Sequence, residues 1–303
     1  MRLGMIGLGR MGMNMARRLL QGNHKVVAFN RTPDKTKQLS NEGSESAFSI
    51  EELVNKLESP RIVWIMLPAG KIVDEHIEKL TNLLEPGDII IEGGNSRYTD
   101  DIRRADELGK KKIHYMDAGV SGGIWGLKIG YCTMVGGEKD IFDLLEPIFK
   151  TLAPEDGLLY CGPVGAGHFV KMIHNGIEYG MMQAYGEGFA LLEASPYKDN
   201  FDYQKIAHLW NQGSVIRSWL LELLEDAFSD DPKLNEISGY VDDSGEGRWT
   251  VEQAIESRVA APVIAQALFA RFQSRDENSF SNRVLAALRR EFGGHAVKTS
   301  SGD

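Results

Sequence analysis

Leu3-Gly4-Met5-Ile6-Gly7-Leu8-Gly9-Arg10-Met11-Gly12 is the stretch that decides the fold. Its first half is an apolar run of strand length, and residues 13–21 carry apolar positions at helical spacing. Between them stands Gly-x-Gly-x-x-Gly, in the strand-to-helix context that a dinucleotide pyrophosphate requires. Gly7 permits the tight turn, Gly9 lets the pyrophosphate approach, and Gly12 lets the helix pack on the strand. Leu8, Arg10 and Met11 complete the loop. Its amides open a helix whose partial positive charge faces the phosphates. The motif alone is weak evidence; with its strand and helix it predicts a dinucleotide site.

The pattern continues outward. Candidate strands at 25–30, 61–67, 88–93, 112–118, 131–136 and 158–162 are interleaved with helical patterns at 33–41, 50–56, 72–84, 99–108 and 139–151. Such alternation predicts an α/β domain over residues 1–164, a doubly wound, Rossmann-like, mostly parallel sheet. Ligands of these sheets gather outside the carboxyl ends of the strands. Leu67-Pro68-Ala69 ends one strand and Gly93-Gly94-Asn95-Ser96 another. Ser121-Gly122-Gly123 follows a third and offers a hydroxyl and open amides to a carboxylate. Taken by itself, that tripeptide reads better as an ordinary glycine-rich turn. The second strand ends in Asn30-Arg31-Thr32, with no carboxylate to accept from the ribose hydroxyls of NAD. Arg31 can pair with a 2′-phosphate, which favours NADP over NAD while leaving NAD open.

From Gly165 the strand signal fades. Helical patterns at 166–194, 203–212, 215–228, 250–259, 262–273 and 279–292 predict an all-α second domain over 165–303, with loops at 230–232 and 242–247. Its first helix contains Lys171-Met-Ile-His174-Asn175-Gly-Ile-Glu178-Tyr179. At 3.6 residues per turn, Lys171, Asn175 and Glu178 fall within roughly 60° of one another, with His174 at the edge of the stripe. An amine, an amide and a carboxylate on one rigid face suit proton transfer. A solvated face would explain the same residues, but Lys171 and Glu178 are about 10 Å apart along the axis, too far for an i,i+4 ion pair. Gly165, Gly167, Gly176 and Gly180 surround the stripe and imply close approach of another backbone or a ligand. His168 and His208 read as packing or capping residues. Singly, Arg248, Arg271, Arg289, Arg290 and His295 read as surface charges.

Length and composition bound the rest. A chain of 303 residues suggests two domains. A net charge of −9 disfavours nucleic acid and anionic membrane as partners. The longest apolar runs are strand-sized, so no membrane span is expected, and the amino terminus goes straight into a strand pattern, so no signal peptide is expected either. Cys132 and Cys161 sit in apolar contexts and read as buried thiols of a reducing, cytoplasmic compartment. No His/Cys/Asp/Glu spacing matches a metal site, so no metal is expected.

These segments together resemble one family, the decarboxylating 6-phosphogluconate dehydrogenases, over nearly the whole chain. The resemblance is carried by Gly7–Gly12, Asn30–Thr32, Gly93–Ser96, Gly119–Gly123 and, most specifically, Gly165-Ala-Gly-His-Phe-Val-Lys-Met-Ile-His-Asn-Gly-Ile-Glu-Tyr179. The chain resembles the short form, without the second helical half of the long enzymes. The resemblance implies oxidative decarboxylation of 6-phosphogluconate to ribulose 5-phosphate in the pentose phosphate pathway, with reduction of NADP or NAD. It implies Lys171 as general base and Glu178 as the acid that protonates C1. Asn95, Ser121, Gly122, Gly123, His174 and Asn175 would hold the carboxylate and hydroxyl end, and Tyr179, Arg271, Arg289 and His295 the phosphate. Leu67, Pro68, Ala69 and Asn95 would line the cofactor. Tail residues of this family enter a partner's site, which implies a homo-oligomer, dimer or tetramer. One departure stands out: the loop 242–250 lacks the phosphate-binding lysine of the long forms, and Arg248 is the candidate to replace it. The runner-up reading is a non-decarboxylating 3-hydroxyacid dehydrogenase, which needs Lys171 but not Glu178. A catalytically silent NAD(P)-binding sensor would need neither together.

Overall fold

The structure, a computed structural model, describes residues 1–276 and 279–293, with side chains to Leu288. Two compact units emerge, Met1–His174 and Asn175–Asp303.

The first unit runs β1 (Arg2–Ile6), α1 (Arg10–Gln21), β2 (Lys25–Phe29), α2 (Pro33–Ser40), β3 (Glu45–Ala47), α3 (Ile50–Asn55), β4 (Ile62–Ile65), α4 (Lys71–Thr81), β5 (Ile89–Glu92), α5 (Tyr98–Gly109), β6 (His114–Ser121), α6 (Gly126–Ile129), β7 (Cys132–Gly136), α7 (Lys139–Leu152) and β8 (Leu158–Gly162). The eight strands order as β3-β2-β1-β4-β5-β6-β7-β8. All pairs are parallel except β6 with β7. The order reverses between β1 and β4, the switch point where a doubly wound sheet opens its ligand crevice.

Strand alternation sends side chains to two helical layers. Leu3, Met5, Trp64, Ile91 and Met116 share a core with Met15 and Leu19 of α1 and Phe142, Leu145 and Phe149 of α7. Ile6, Val27, Val63, Ile65 and Ile90 share the other core with Leu53, Val73, Ile77 and Leu108 of α3, α4 and α5. Burial on both faces explains why the strands read as unbroken apolar runs. Truncating one of these leucines to alanine would cost about 2–5 kcal/mol.

α8 (Ala166–Glu193) begins in the first unit and continues into the second. The second unit also contains α9 (Tyr203–Asn211), α10 (Trp219–Asp230), α11 (Glu246–Glu256), α12 (Pro262–Gln273) and α13 (Phe280–Gly293). Phe189 of α8 packs with Tyr203, Ala207, Leu221 and Phe228 of α9 and α10. Tyr179 packs with Ala267 and Leu268 of α12.

Several local expectations change. β3 was not foreseen; its three residues have too little periodicity to register. α10 starts at Trp219 rather than near 215, because the Ser218 hydroxyl accepts from the Leu221 N–H at 3.1 Å and caps it. α11 starts at Glu246, inside the expected loop. Cys132 is exposed and Cys161 half-buried, not buried as expected, because each lies near an end of the last two strands of the sheet. Among the described residues, no helix is long and apolar enough to cross a membrane.

Candidate active site

In the first unit, the glycine loop follows β1. Gly7 has φ +97°, and a Cβ there would lie 2.3 Å from the Met66 carbonyl oxygen, so no other residue fits the turn. A Cβ on Gly12 would lie 2.1 Å from the Gly7 carbonyl oxygen, which ties helix packing to the same loop. Gly9 differs: nothing lies within 4 Å of its Cβ position, leaving room for a ligand. It is the N-cap of α1, with no side-chain capping bond and no acidic residue in the first turn. These features fit a dinucleotide pyrophosphate. Arg10 is exposed, Met11 half-buried, and Leu8 buried in the core.

Asn30 is built into this loop. Its Oδ1 accepts from the Leu8 N–H at 2.9 Å and its Nδ2 donates to the Thr32 carbonyl at 3.1 Å. Arg31 and Thr32 are exposed beside it. At the end of β4, Leu67 is half-buried while Pro68 and Ala69 are exposed. A Cβ on Gly94 would lie 2.5 Å from the Leu67 carbonyl oxygen, so the ends of β4 and β5 are drawn close; Asn95 follows, exposed.

Ser121 ends β6, and Gly122 and Gly123 adopt φ of +140° and +53°. The Ser121 hydroxyl lies 3.5 Å from His174 Nε2, at the outer limit of a hydrogen bond. Lys171 of α8 is 6% exposed. A Cβ on Gly119 would lie 2.5 Å from Lys171 Cβ, so that glycine makes room for the lysine stem. A Cβ on Gly167 would lie 2.5 Å from the Met134 carbonyl oxygen, so that glycine admits the β7 backbone.

In the second unit, α8 continues with Asn175, buried at 8% exposure, Glu178, half-buried, and Tyr179, buried. A Cβ on Gly176 would lie 2.6 Å from Thr250 of α11, which accounts for that glycine. Asn175 Nδ2 donates to Glu246 Oε1 at 2.7 Å, which orients the amide. The Ser244 hydroxyl donates to the other oxygen of Glu246. The Ser244 N–H donates to the Tyr179 hydroxyl at 3.1 Å. The Arg271 guanidinium stacks 3.5 Å over the Tyr179 ring and donates from Nη1 to the Asp242 carbonyl at 2.8 Å.

Asp243 receives Arg248 Nε at 2.7 Å and Nη2 at 3.1 Å, and Arg275 Nη2 at 2.7 Å. The Arg248 hydrogen bonds, reinforced by Arg275, hold the Asp243 carboxyl down to about 2. The fork of Arg248 is thus committed to Asp243. The side chain of Arg289 and all of His295 lie outside the described residues.

Sequence reasoning missed Glu246, Ser244, Asp243 and Arg275. Asp242-Asp-Ser-Gly-Glu-Gly247 has the composition of a turn, and the one available signal was a carboxylate opening a helix.

Among the described residues, Glu92, Asp101 and His168 bring three metal-ligating side chains within 4.8 Å. Arg104 Nη1 lies 3.9 Å from Glu92 and 3.8 Å from Asp101, so a cation already serves those carboxylates and the group is an ion-pair network.

Comparison with known proteins agrees with this architecture. Residues 2–162 match a family model described as the NAD binding domain of 6-phosphogluconate dehydrogenase, and residues 167–296 one described as the 6-phosphogluconate dehydrogenase C-terminal domain. YqeC of Bacillus subtilis is 48% identical over 98% of this chain and 99% of its own. A Haloferax volcanii protein named as an NAD(+)-dependent, decarboxylating 6-phosphogluconate dehydrogenase is 42% identical over 98% of each chain. A solved Plasmodium falciparum 6-phosphogluconate dehydrogenase, described apo, with NADP+ and with 6-phosphogluconate, superposes with a TM-score of 0.82 at 31% identity. It covers all of this chain, which spans 67% of the Plasmodium chain.

Proposed function

This chain belongs to the 6-phosphogluconate dehydrogenase family, and from that premise we propose that it converts 6-phospho-D-gluconate to D-ribulose 5-phosphate and CO₂ with reduction of NADP or NAD. The observation that carries the reading is the stripe along α8: Lys171 and Asn175 buried, and Glu178 seven residues after the lysine. A non-decarboxylating dehydrogenase has no use for the last.

A nicotinamide cofactor held by the Gly7–Gly12 loop would supply the acceptor for the hydride of C3. Lys171 takes the C3 hydroxyl proton as that hydride leaves. The resulting 3-keto acid loses CO₂ as the C1–C2 bonding pair moves towards the carbonyl, and protonated Lys171 returns its proton to that oxygen. Glu178 then protonates the enediol carbon that becomes C1 of the product. Asn95, Ser121, Gly122, Gly123, His174 and Asn175 bind the carboxylate and hydroxyls. Tyr179 and Arg271 serve the phosphate, joined by Arg289 and His295 of a partner's tail in a homo-oligomer. Support for the phosphate end is the fixed Arg271–Tyr179 stack; support for the tail is the family likeness.

Gly7–Gly12, Asn30–Thr32 and Leu67–Ala69, with Asn95, form the cofactor site in this reading. The exposed Arg31 favours NADP, whereas the Haloferax relative is named for NAD. A cytoplasmic setting belongs to the same proposal, supported by two free thiols. Initial rates with 6-phosphogluconate and with 3-hydroxyisobutyrate, each with NADP and NAD, test the function. The reading expects turnover of the first substrate; turnover of the second alone would replace it with the 3-hydroxyacid alternative.

A further inference from the structure

A buried polar cluster in the first unit takes no part in the site described above, yet it is wired into the start of α8. Asp117 of β6 spends both carboxylate oxygens on the beginning of the helix. Oδ1 accepts from the Gly165 N–H at 2.7 Å and Oδ2 from the His168 N–H at 2.8 Å. The His168 ring donates from Nδ1 to Asp101 Oδ2 on α5 at 2.7 Å, and Asp101 Oδ1 accepts from the Tyr115 hydroxyl at 2.8 Å. Glu92 of β5 and Arg104 of α5 close the cluster, and both are buried. Asp117 thereby fixes α8 along its axis, and the His168–Asp101 bond fixes its rotation.

Lys171 is the third residue after His168. On an α-helix that is a rise of about 4.5 Å with the two side chains on neighbouring positions of one face. The strand that caps the helix through Asp117 also touches the lysine stem through Gly119. Placement of the lysine therefore follows from the same few contacts that hold the helix start.

We propose that His168 is a positioning residue for Lys171: through Asp101 it locks the rotation of the first turn of α8, and it places its ring one turn before the lysine. The inference rests on the reading of Lys171 as general base. Burial by itself would pull the His168 proton off. Asp101, then Glu92 and Asp117, more than reverse that and push its pKa up to about 10, so the ring is a cation at neutral pH. The groups facing it are Asp101 and Arg104 from α5, Glu92 from β5, and Tyr115 and Asp117 from β6. Removing the imidazolium takes a positive charge out of this cluster and from the neighbourhood of Lys171. The Lys171 ammonium is then favoured, and the acidic limb of kcat/KM moves to higher pH.

The test compares His168→Ala with His168→Asn, whose amide nitrogen keeps a donor near the Nδ1 position without the charge. Measured for each are kcat and KM with 6-phosphogluconate, NADP and NAD affinity by fluorescence, and the pH profile of kcat/KM. A rotated helix start should lower kcat of His168→Ala by about 30-fold or more, with cofactor affinity retained. His168→Asn should recover most of kcat, yet carry its acidic limb up by about half a pH unit or more. His168→Ala turning over within about twofold of the parent, or an unmoved limb in His168→Asn, overturns the proposal. Should His168→Ala fail to fold, the limb of His168→Asn decides alone. A parent chain without turnover of 6-phosphogluconate would overturn the functional reading, and the inference with it.

Discussion

Replacing Gly119 by alanine puts one methyl group where the first unit has no room for it. The new Cβ would lie 2.5 Å from Lys171 Cβ, 3.0 Å from Lys171 Cγ and 3.1 Å from the Gly167 carbonyl oxygen. The shortest of these is about 1 Å inside ordinary contact. β6 cannot give way easily, because Gly119 is held in register against Met134 of β7. The yielding element is α8, and Gly167 leaves it no slack on the β7 side. The lysine stem should move by about 1 Å, a displacement that costs up to about 100-fold in rate when it misplaces a reacting group. Overpacking of this kind also costs about 1–3 kcal/mol of stability. The assay is kcat at saturating substrate and cofactor, with cofactor affinity and Tm measured in parallel. Gly109→Ala is the control, since nothing lies within 4 Å of its Cβ position. A folded Gly119→Ala enzyme with kcat within about twofold of the parent would refute the argument that this glycine makes room for the base.

Lys171→Ala should lose on the order of 10³-fold in turnover while still binding cofactor, and retention of activity within tenfold would remove the lysine from its role. Glu178→Gln should cripple overall turnover in a folded protein; stereospecific C1 protonation at an undiminished rate would contradict its assignment. Asn30→Glu with Arg31→Ile should move the NADP/NAD ratio of kcat/KM towards NAD, because a carboxylate accepts from ribose hydroxyls and repels a 2′-phosphate. An unchanged ratio would place the adenosine end elsewhere. The His168 proton is held up to about 10, against 6.5 ordinarily, so its stabilisation is complete below pH 6.5 and is lost as pH rises through about 10. The unfolding free energy of the parent relative to His168→Asn, from urea titrations, should therefore fall between pH 7 and 10, by an amount on the order of a few kcal/mol; a gap that widens with pH would reverse the sign.

Much of this was legible in the sequence because it is local. Gly7, Gly9 and Gly12 announce the loop, and the doubly buried strands announce themselves as apolar runs. The α8 glycines foretold close approach, and Met134 for Gly167 and Thr250 for Gly176 are what they approach. What escaped is non-local or too short. β3 has only Glu45, Ser46 and Ala47, whose pairing with β2 is a tertiary fact. The antiparallel β6–β7 pairing depends on how residues 122–131 turn back, which no periodicity encodes. Asp243 meets Arg248 five residues on but Arg275 thirty-two away. Glu246 reaches Asn175 across 71 positions. His168, expected to pack or cap, is buried, but as an ion-paired ring whose partners come from α5, β5 and β6, which only the folded sheet assembles.

The most direct measurement is the stoichiometry of one reaction. 6-Phosphogluconate labelled at C1 is incubated with the chain and NADP or NAD, and labelled CO₂ is counted against reduced cofactor. The account predicts one CO₂ for each reduced nicotinamide, with ribulose 5-phosphate as the sugar product. Reduced cofactor formed without CO₂ would contradict it and make the chain a dehydrogenase that stops at the keto acid.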